Sequence, residues 1–323
     1  MITRRQFLTY GGGALASASF SGLFPNYAAC KTSAKVCIIK NPRIWQNGSI
    51  DQGEVGLMLE AGVRMLSGTE DLAKASKTYF TVNDTIALKV NPIARQTGST
   101  KPEICYALAK SIHENVGVPF DKFIIFDVSK DDLIGAGYEI THGRGRVQIY
   151  SSKDYSEIIS QGGVKAKLSR IITDQCTALI SMPLLKTHKG AGISIALKNH
   201  YGSIPTAIVR DDANRYHMDQ FKNLVFLNLM PPIYDKTRLI VVDGLVAQYN
   251  RGPGGDPRYQ WKLNGIIMGT DPVAVDAVCA QIINQKRTEN SLQPLDLPYL
   301  DWARQEGLGM NRLEEIAVYE NVI

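Results

Sequence analysis

The chain has 323 residues, with 36 Lys and Arg against 31 Asp and Glu, 44% hydrophobic residues and five cysteines. That hydrophobic content supports a substantial buried core. The mild positive balance contains no basic block, so nucleic acid is excluded as an expected partner.

The first thirty residues read as a signal segment. Thr3-Arg4-Arg5-Gln6-Phe7-Leu8 is a twin-arginine pattern, and a moderately apolar stretch rich in Gly, Ala and Ser follows over 10–24. That stretch is too short and too weakly hydrophobic for a stable membrane span. No Asp or Glu precedes Cys30. Cleavage is expected within 28–31, leaving a mature chain of about 290 residues. Tyr27-Ala28-Ala29-Cys30 is a poor lipobox, so lipid anchoring at Cys30 is the disfavoured alternative. The expectation is periplasmic or other extracytoplasmic placement, with the twin-arginine translocation machinery as a partner.

Beyond the signal, β and α patterns alternate through a single α/β domain over 31–323, with room for two lobes. Candidate strands are 36–39, 85–90, 123–127, 147–150, 178–181, 239–243 and 265–268, each short and rich in β-branched residues. An amphipathic helix is predicted over 54–66, closed by Gly68. Another begins at Pro102, carries Ile104, Leu108 and Ile112 on one face and stops at Gly117. Asp271-Pro272 caps a third over 273–283. This alternation predicts a mostly parallel central sheet with helices on both faces.

Cys37, Cys105, Cys176 and Cys279 all lie in apolar runs and are expected buried and reduced, as small hydrophobes. No Cys-x-x-Cys occurs, so there is no iron–sulfur motif, and the residues do not name a cofactor. The five histidines form no His-x-x-x-His pair, and metal content stays open.

Ligands of open α/β sheets bind beyond the carboxyl ends of the strands. That rule gathers Asn91, Asp127, Lys186, His188 and Asp243, each at or just after a strand end. The stretch 180–202 is the richest. Its strand ends at Pro183, and Lys186, Thr187 and His188 follow in a short polar turn. Lys198 and Asn199 then come after Gly190, Gly192 and an apolar run. Cations set among apolar residues need acidic partners, a bound anion or water. Gly252, Gly254 and Gly255 can aim backbone N–H groups at an anion, yet match neither the P-loop nor the dinucleotide pattern. Asp271 is the natural N-cap. Asp276 sits inside an apolar helix, must have partners, and is expected to meet Lys198 or Lys186. Ser194 resembles a nucleophile elbow without its last glycine.

Lys89-Val90-Asn91, the 182–188 run, Ala196-Leu197-Lys198-Asn199 with Tyr201-Gly202, Asp243-Gly244, Gly252-Pro253-Gly254-Gly255 and the 269–276 run occur in one order. Together they resemble the family called domain of unknown function 362, from about residue 36 to 285. The resemblance implies an α/β domain with an uncharacterised site at these motifs. It also implies an anaerobic redox context, since members often carry ferredoxin-like segments; this chain departs there, having no clustered cysteines.

The leading expectation is a site for a small anionic molecule. In it Lys186, His188 and Lys198 are the candidate catalytic residues. Asn91, Thr187, Asn199, Asp243, Gly252, Gly254, Gly255, Asp271 and Asp276 bind ligand, with the aspartates orienting the lysines or holding a metal. Two alternatives stand beside it. One is an enzyme, an oxidoreductase or a carbon-acid enzyme, with Lys186 or His188 as general base. The other is a non-catalytic partner of an envelope redox complex.

Overall fold

The computed structural model describes residues 34–205 and 221–323. The predicted signal segment, Cys30 and His217 lie outside them. All seven predicted strands form, and four more join them in one eleven-stranded sheet. In chain order these are β1 (Ala34–Lys40), β2 (Ile86–Val90), β3 (Phe123–Asp127), β4 (Gln148–Ser151), β5 (Ala178–Met182), β6 (Leu184–His188), β7 (Gly192–Ile193), β8 (Thr237–Gln248), β9 (Gln260–Trp261), β10 (Gly265–Gly269) and β11 (Ile316–Val322).

The main path runs β11-β1-β10-β8-β5-β2-β3-β4. Along it every pairing is parallel except those of β10, which runs against both β1 and β8. The sheet is therefore mixed but mostly parallel. Its central strands are buried on both faces, which explains their continuous apolar runs.

Helices cover both faces. On one face α1 (Gln52–Ser67) and α2 (Pro102–Val116) pack Met58, Leu59, Ile104 and Leu108 against Ile39, Leu88, Ile125, Ile180 and Val241. The Asp51 side chain caps α1, accepting from Gly53 and Glu54 N–H at 2.7 and 3.1 Å. Gly68 and Gly117 end the two helices in the left-handed conformation that glycine adopts without penalty.

The opposite face carries two separate cores. One joins α5 (Pro272–Glu289) and α6 (Pro298–Gln305) to Ile38, Ile240, Val242 and Ile267. The other joins α4 (Lys222–Asn228) to Ala87, Ile124, Phe126 and Leu179. Side chains two apart on a strand share a face, so Lys89 faces the same way as Ala87, and Ser181 the same way as Leu179. These polar groups, with the short α3 (Ala196–Asn199), occupy the seam between the two cores. A cavity of about 430 Å³ opens beside the seam, lined by Ser181, Ala196, His200, Asn228 and Ile240.

The predicted turn at Lys186, Thr187 and His188 is corrected. Pro183 interrupts the ladder because it has no N–H to donate, and the chain resumes as β6, parallel to β8 and antiparallel to β7. The Pro183 carbonyl accepts from Asp243 N–H at 2.8 Å, which fastens the break to β8. Cys37, Cys105, Cys176 and Cys279 are buried free thiols. No described helix is long and apolar enough to cross a membrane.

Candidate functional site

The seam is organised around a lysine in the middle of a strand. Lys89 is 1% exposed, and its Nζ lies 2.6 Å from Asp127 Oδ2 and donates to Val90 O at 2.7 Å. Burial holds the Asp127 carboxyl above its usual range, while Lys89 pulls against that shift. Asn199 Nδ2 donates to Lys89 O at 2.8 Å and to Ser181 Oγ at 2.9 Å, so α3 is tied across β2 and β5. Gly202 backs directly onto the pair. A Cβ there would stand 2.5 Å from Asp127 Oδ2 and 2.8 Å from Lys89 Nζ.

Lys186 is fully buried on β6, and its Nζ donates to Gly98 O at 2.9 Å. Desolvation lowers its pKa to about 7; the Asp127 charge opposes this and the Lys198 charge adds to it. Lys198, on α3, is buried with its ammonium 4.0 Å from the centre of the Tyr201 ring. Burial lowers its pKa to about 8. Lys186 O accepts from Ser194 N–H at 2.9 Å, and Ser194 Oγ is 3.4 Å from Asn91 Nδ2.

The loop following β2 closes over these groups. Asn91 N–H donates to Thr100 Oγ1 at 3.1 Å, and Thr100 Oγ1 donates to Met182 O at 2.7 Å. Within this loop the Ser99 hydroxyl is buried and has no hydrogen-bond partner. A native structure rarely leaves such a group unpaired without a reason.

The glycine loop reaches the same edge. Gly252 N–H donates to Thr187 Oγ1 at 3.2 Å, and a Cβ on Gly252 would stand 1.7 Å from Thr187 O. Gly254 O accepts from Gln248 Nε2 at 2.8 Å, and Gly255 packs against Thr97. These glycines permit close backbone approach; the N–H of Gly252 is already engaged.

Asp271 is the expected N-cap, whereas Asp276 and Asp243 are engaged by backbone donors and not by the lysine side chains. Asp276 meets neither Lys186 nor Lys198 in a salt bridge. Its two oxygens accept from Ala196 and Leu197 N–H at 2.7 and 3.1 Å, so it anchors the start of α3 from the neighbouring helix. Asp243 accepts from Lys101 and Leu245 N–H at 2.9 and 3.0 Å, and Asp271 caps α5 and accepts from Met310 N–H at 2.8 Å. Each carboxylate is spent on backbone donors that would otherwise lie unpaired. Burial still raises Asp243 to about 6 and Asp276 to about 7. Among the described residues no three His, Cys, Asp or Glu side chains are grouped to hold a metal.

His188 also has a turn-holding role. Its Nδ1 accepts from Gly190 and Ala191 N–H at 3.1 and 3.0 Å. The seam thus gathers Asn91, Lys186, Thr187, Lys198, Asn199 and Gly252. Asp271 lines the 430 Å³ cavity instead, beside Thr270 and Pro272. The strand-end rule gathers Asp127 into the site; Ser99 and Ser181 carry no site assignment from the sequence, and Lys89 enters there only within the Lys89-Val90-Asn91 motif. The signal for Lys89 was present: a lysine inside a five-residue apolar strand must find a partner.

A family model described as domain of unknown function (DUF362) matches residues 86–281, which contain most of the site. A thylakoid-associated protein of Synechocystis sp. is 23% identical over 291 residues, covering 85% of this chain and 81% of that protein. A crystal structure of a Thermotoga maritima protein aligns with a TM-score of 0.44 at 12% identity, over 73% of this chain and 59% of that one.

Proposed function

The chain belongs to the domain of unknown function 362 family, and from that footing we propose that it binds a small anionic molecule in the seam lined by Lys89, Lys186 and Lys198. The observation that carries this reading is the charge balance around two buried lysines. Lys89 takes Asp127 as its partner, and Lys186, equally buried, is held by a backbone carbonyl. When protonated, Lys186 is a buried ammonium whose acting carboxylate, Asp127, is already paired with Lys89, and such a charge costs several kcal/mol. An anionic ligand supplies the counter-charge, and Asn91, Ser194 and Ser99 add neutral hydrogen-bonding groups nearby. A thermal-shift screen of the purified protein with small carboxylates and phosphates tests this. Ligand-induced shifts that survive Lys198→Ala unchanged would refute it.

A second reading, that the site is catalytic, is favoured by one further observation. Burial lowers the pKa of Lys186 to about 7, the range in which a lysine can act as a base. His188 is the weaker candidate for that role because its Nδ1 is occupied by two backbone donors. A His188→Ala variant that keeps turnover supports Lys186 as the base.

Export by the twin-arginine route rests on Arg4 and Arg5 and their context. On this proposal the protein works outside the cytoplasm, where a redox partner in the envelope is a further proposal. Mass spectrometry of the mature N-terminus and co-purification from envelope fractions check these two points.

A further inference from the structure

We propose that Lys186 is an imine-forming nucleophile, and that its substrates are small carboxylates that also carry a ketone or aldehyde carbonyl. The inference rests on the anion-site reading and names the chemistry of that site.

Three observations support it. First, Lys186 Nζ is fully buried and makes its hydrogen bond to one backbone carbonyl, Gly98 O. An ammonium has three protons to place; a neutral amine satisfied by one acceptor keeps its lone pair for attack. Second, Lys198 is a buried neighbour whose charge acts on Lys186. A desolvated lysine beside another cation is an activated amine nucleophile, and on the anion-site reading the second cation is the group that receives a substrate carboxylate. Third, the Ser99 hydroxyl adjoins Gly98 in sequence and is buried without a partner. It is an available donor for the oxygen that develops when the carbonyl is attacked.

The step balances within these groups. The Lys186 nitrogen lone pair forms a bond to the carbonyl carbon, and the C=O π pair moves to oxygen, giving a carbinolamine. The C–O bond then breaks. The oxygen departs as water with the two amine protons, leaving a C=N bond to Lys186. No oxidant or reductant is consumed.

Borohydride trapping tests the assignment on the full-length protein. Protein is incubated with acetoacetate or glyoxylate, treated with borohydride, digested and mapped by mass spectrometry. Borohydride delivers hydride to the imine carbon and fixes the adduct as a secondary amine. The expected result is an adduct on the peptide carrying Lys186, enriched roughly tenfold or more over exposed lysines, and lost in Lys186→Arg. Peptide mapping of the unmutated protein gives this answer even where the variant folds poorly. A thermal shift with either probe but no adduct at Lys186 overturns imine formation and leaves the anion site standing. Neither shift nor adduct overturns both for these ligands. Equal labelling of Lys186 and exposed lysines overturns the assignment as well.

Discussion

Lys186→Met isolates the consequence of placing an amine where water cannot reach it. The folded-state pKa lies near 7, against 10.5 for the free group. The folded protein therefore holds fewer protons than the unfolded chain between these values, and raising the pH stabilises it. At about 1.4 kcal/mol per unit, the lysine costs about 5 kcal/mol below pH 7, and this cost fades to zero toward pH 10.5. Methionine fills similar volume and carries no charge. It leaves Gly98 O unpaired, which costs about 1–3 kcal/mol. Near pH 6.5 the variant should therefore gain about 2–4 kcal/mol, or roughly 5 °C in Tm for a chain of this size. The gain should shrink steadily to pH 9 and reverse above it. Thermal denaturation of both proteins from about pH 6 to about pH 10 reads this directly. A variant destabilised by the same amount at every pH would show that Lys186 is charged and paired in the folded state, and the reasoning would fall.

Further outcomes follow from the same contacts. Lys89→Met and Asp127→Asn should each cost about 3–5 kcal/mol, and the double variant less than their sum, because either change alone strands a buried charge; additive losses in urea denaturation would contradict this. Gly202→Ala should lower both stability and anion response, since its Cβ would intrude on the Lys89–Asp127 contact; an unchanged thermal shift would argue that the pair is remote from the ligand. Asp276→Ala should cost about 2–4 kcal/mol by leaving Ala196 and Leu197 N–H buried without an acceptor, which equilibrium unfolding would measure. Burial pushes the thiols of Cys37 and Cys105 up to about 12 and Cys176 up to about 11, and raises Cys279 well above its usual value. These four should therefore resist a thiol reagent until the protein is unfolded, and rapid labelling of the native chain would show an accessible cysteine.

Much of the fold was legible because local pattern and tertiary role coincide. The apolar runs at 123–127 and 178–181 are buried on both sides and had to read as parallel strands. Asp271 ahead of Pro272, and Gly117 after an amphipathic run, mark helix ends by rules that act within a few residues. β11 was not legible: its residues Tyr319, Glu320 and Val322 are exposed, so alternation is weak, and pairing with β1 makes it a strand. β6 was not legible either, because its register follows from β8, more than fifty residues later.

By itself the sequence determined the strand-and-helix alternation, the caps and the concentration of polar residues after strand ends. It also determined that lysines within apolar segments needed compensation. Tertiary structure alone decided which compensation each received. Asp127 went to Lys89, a backbone carbonyl to Lys186, and backbone N–H groups from distant segments to Asp243, to Asp276 and, beyond its local cap, to Asp271. The physical reason is range: periodicity and capping act over one or two turns, whereas a buried charge is satisfied by whatever neighbouring strands bring within 3 Å, and that neighbourhood exists only once the sheet has assembled.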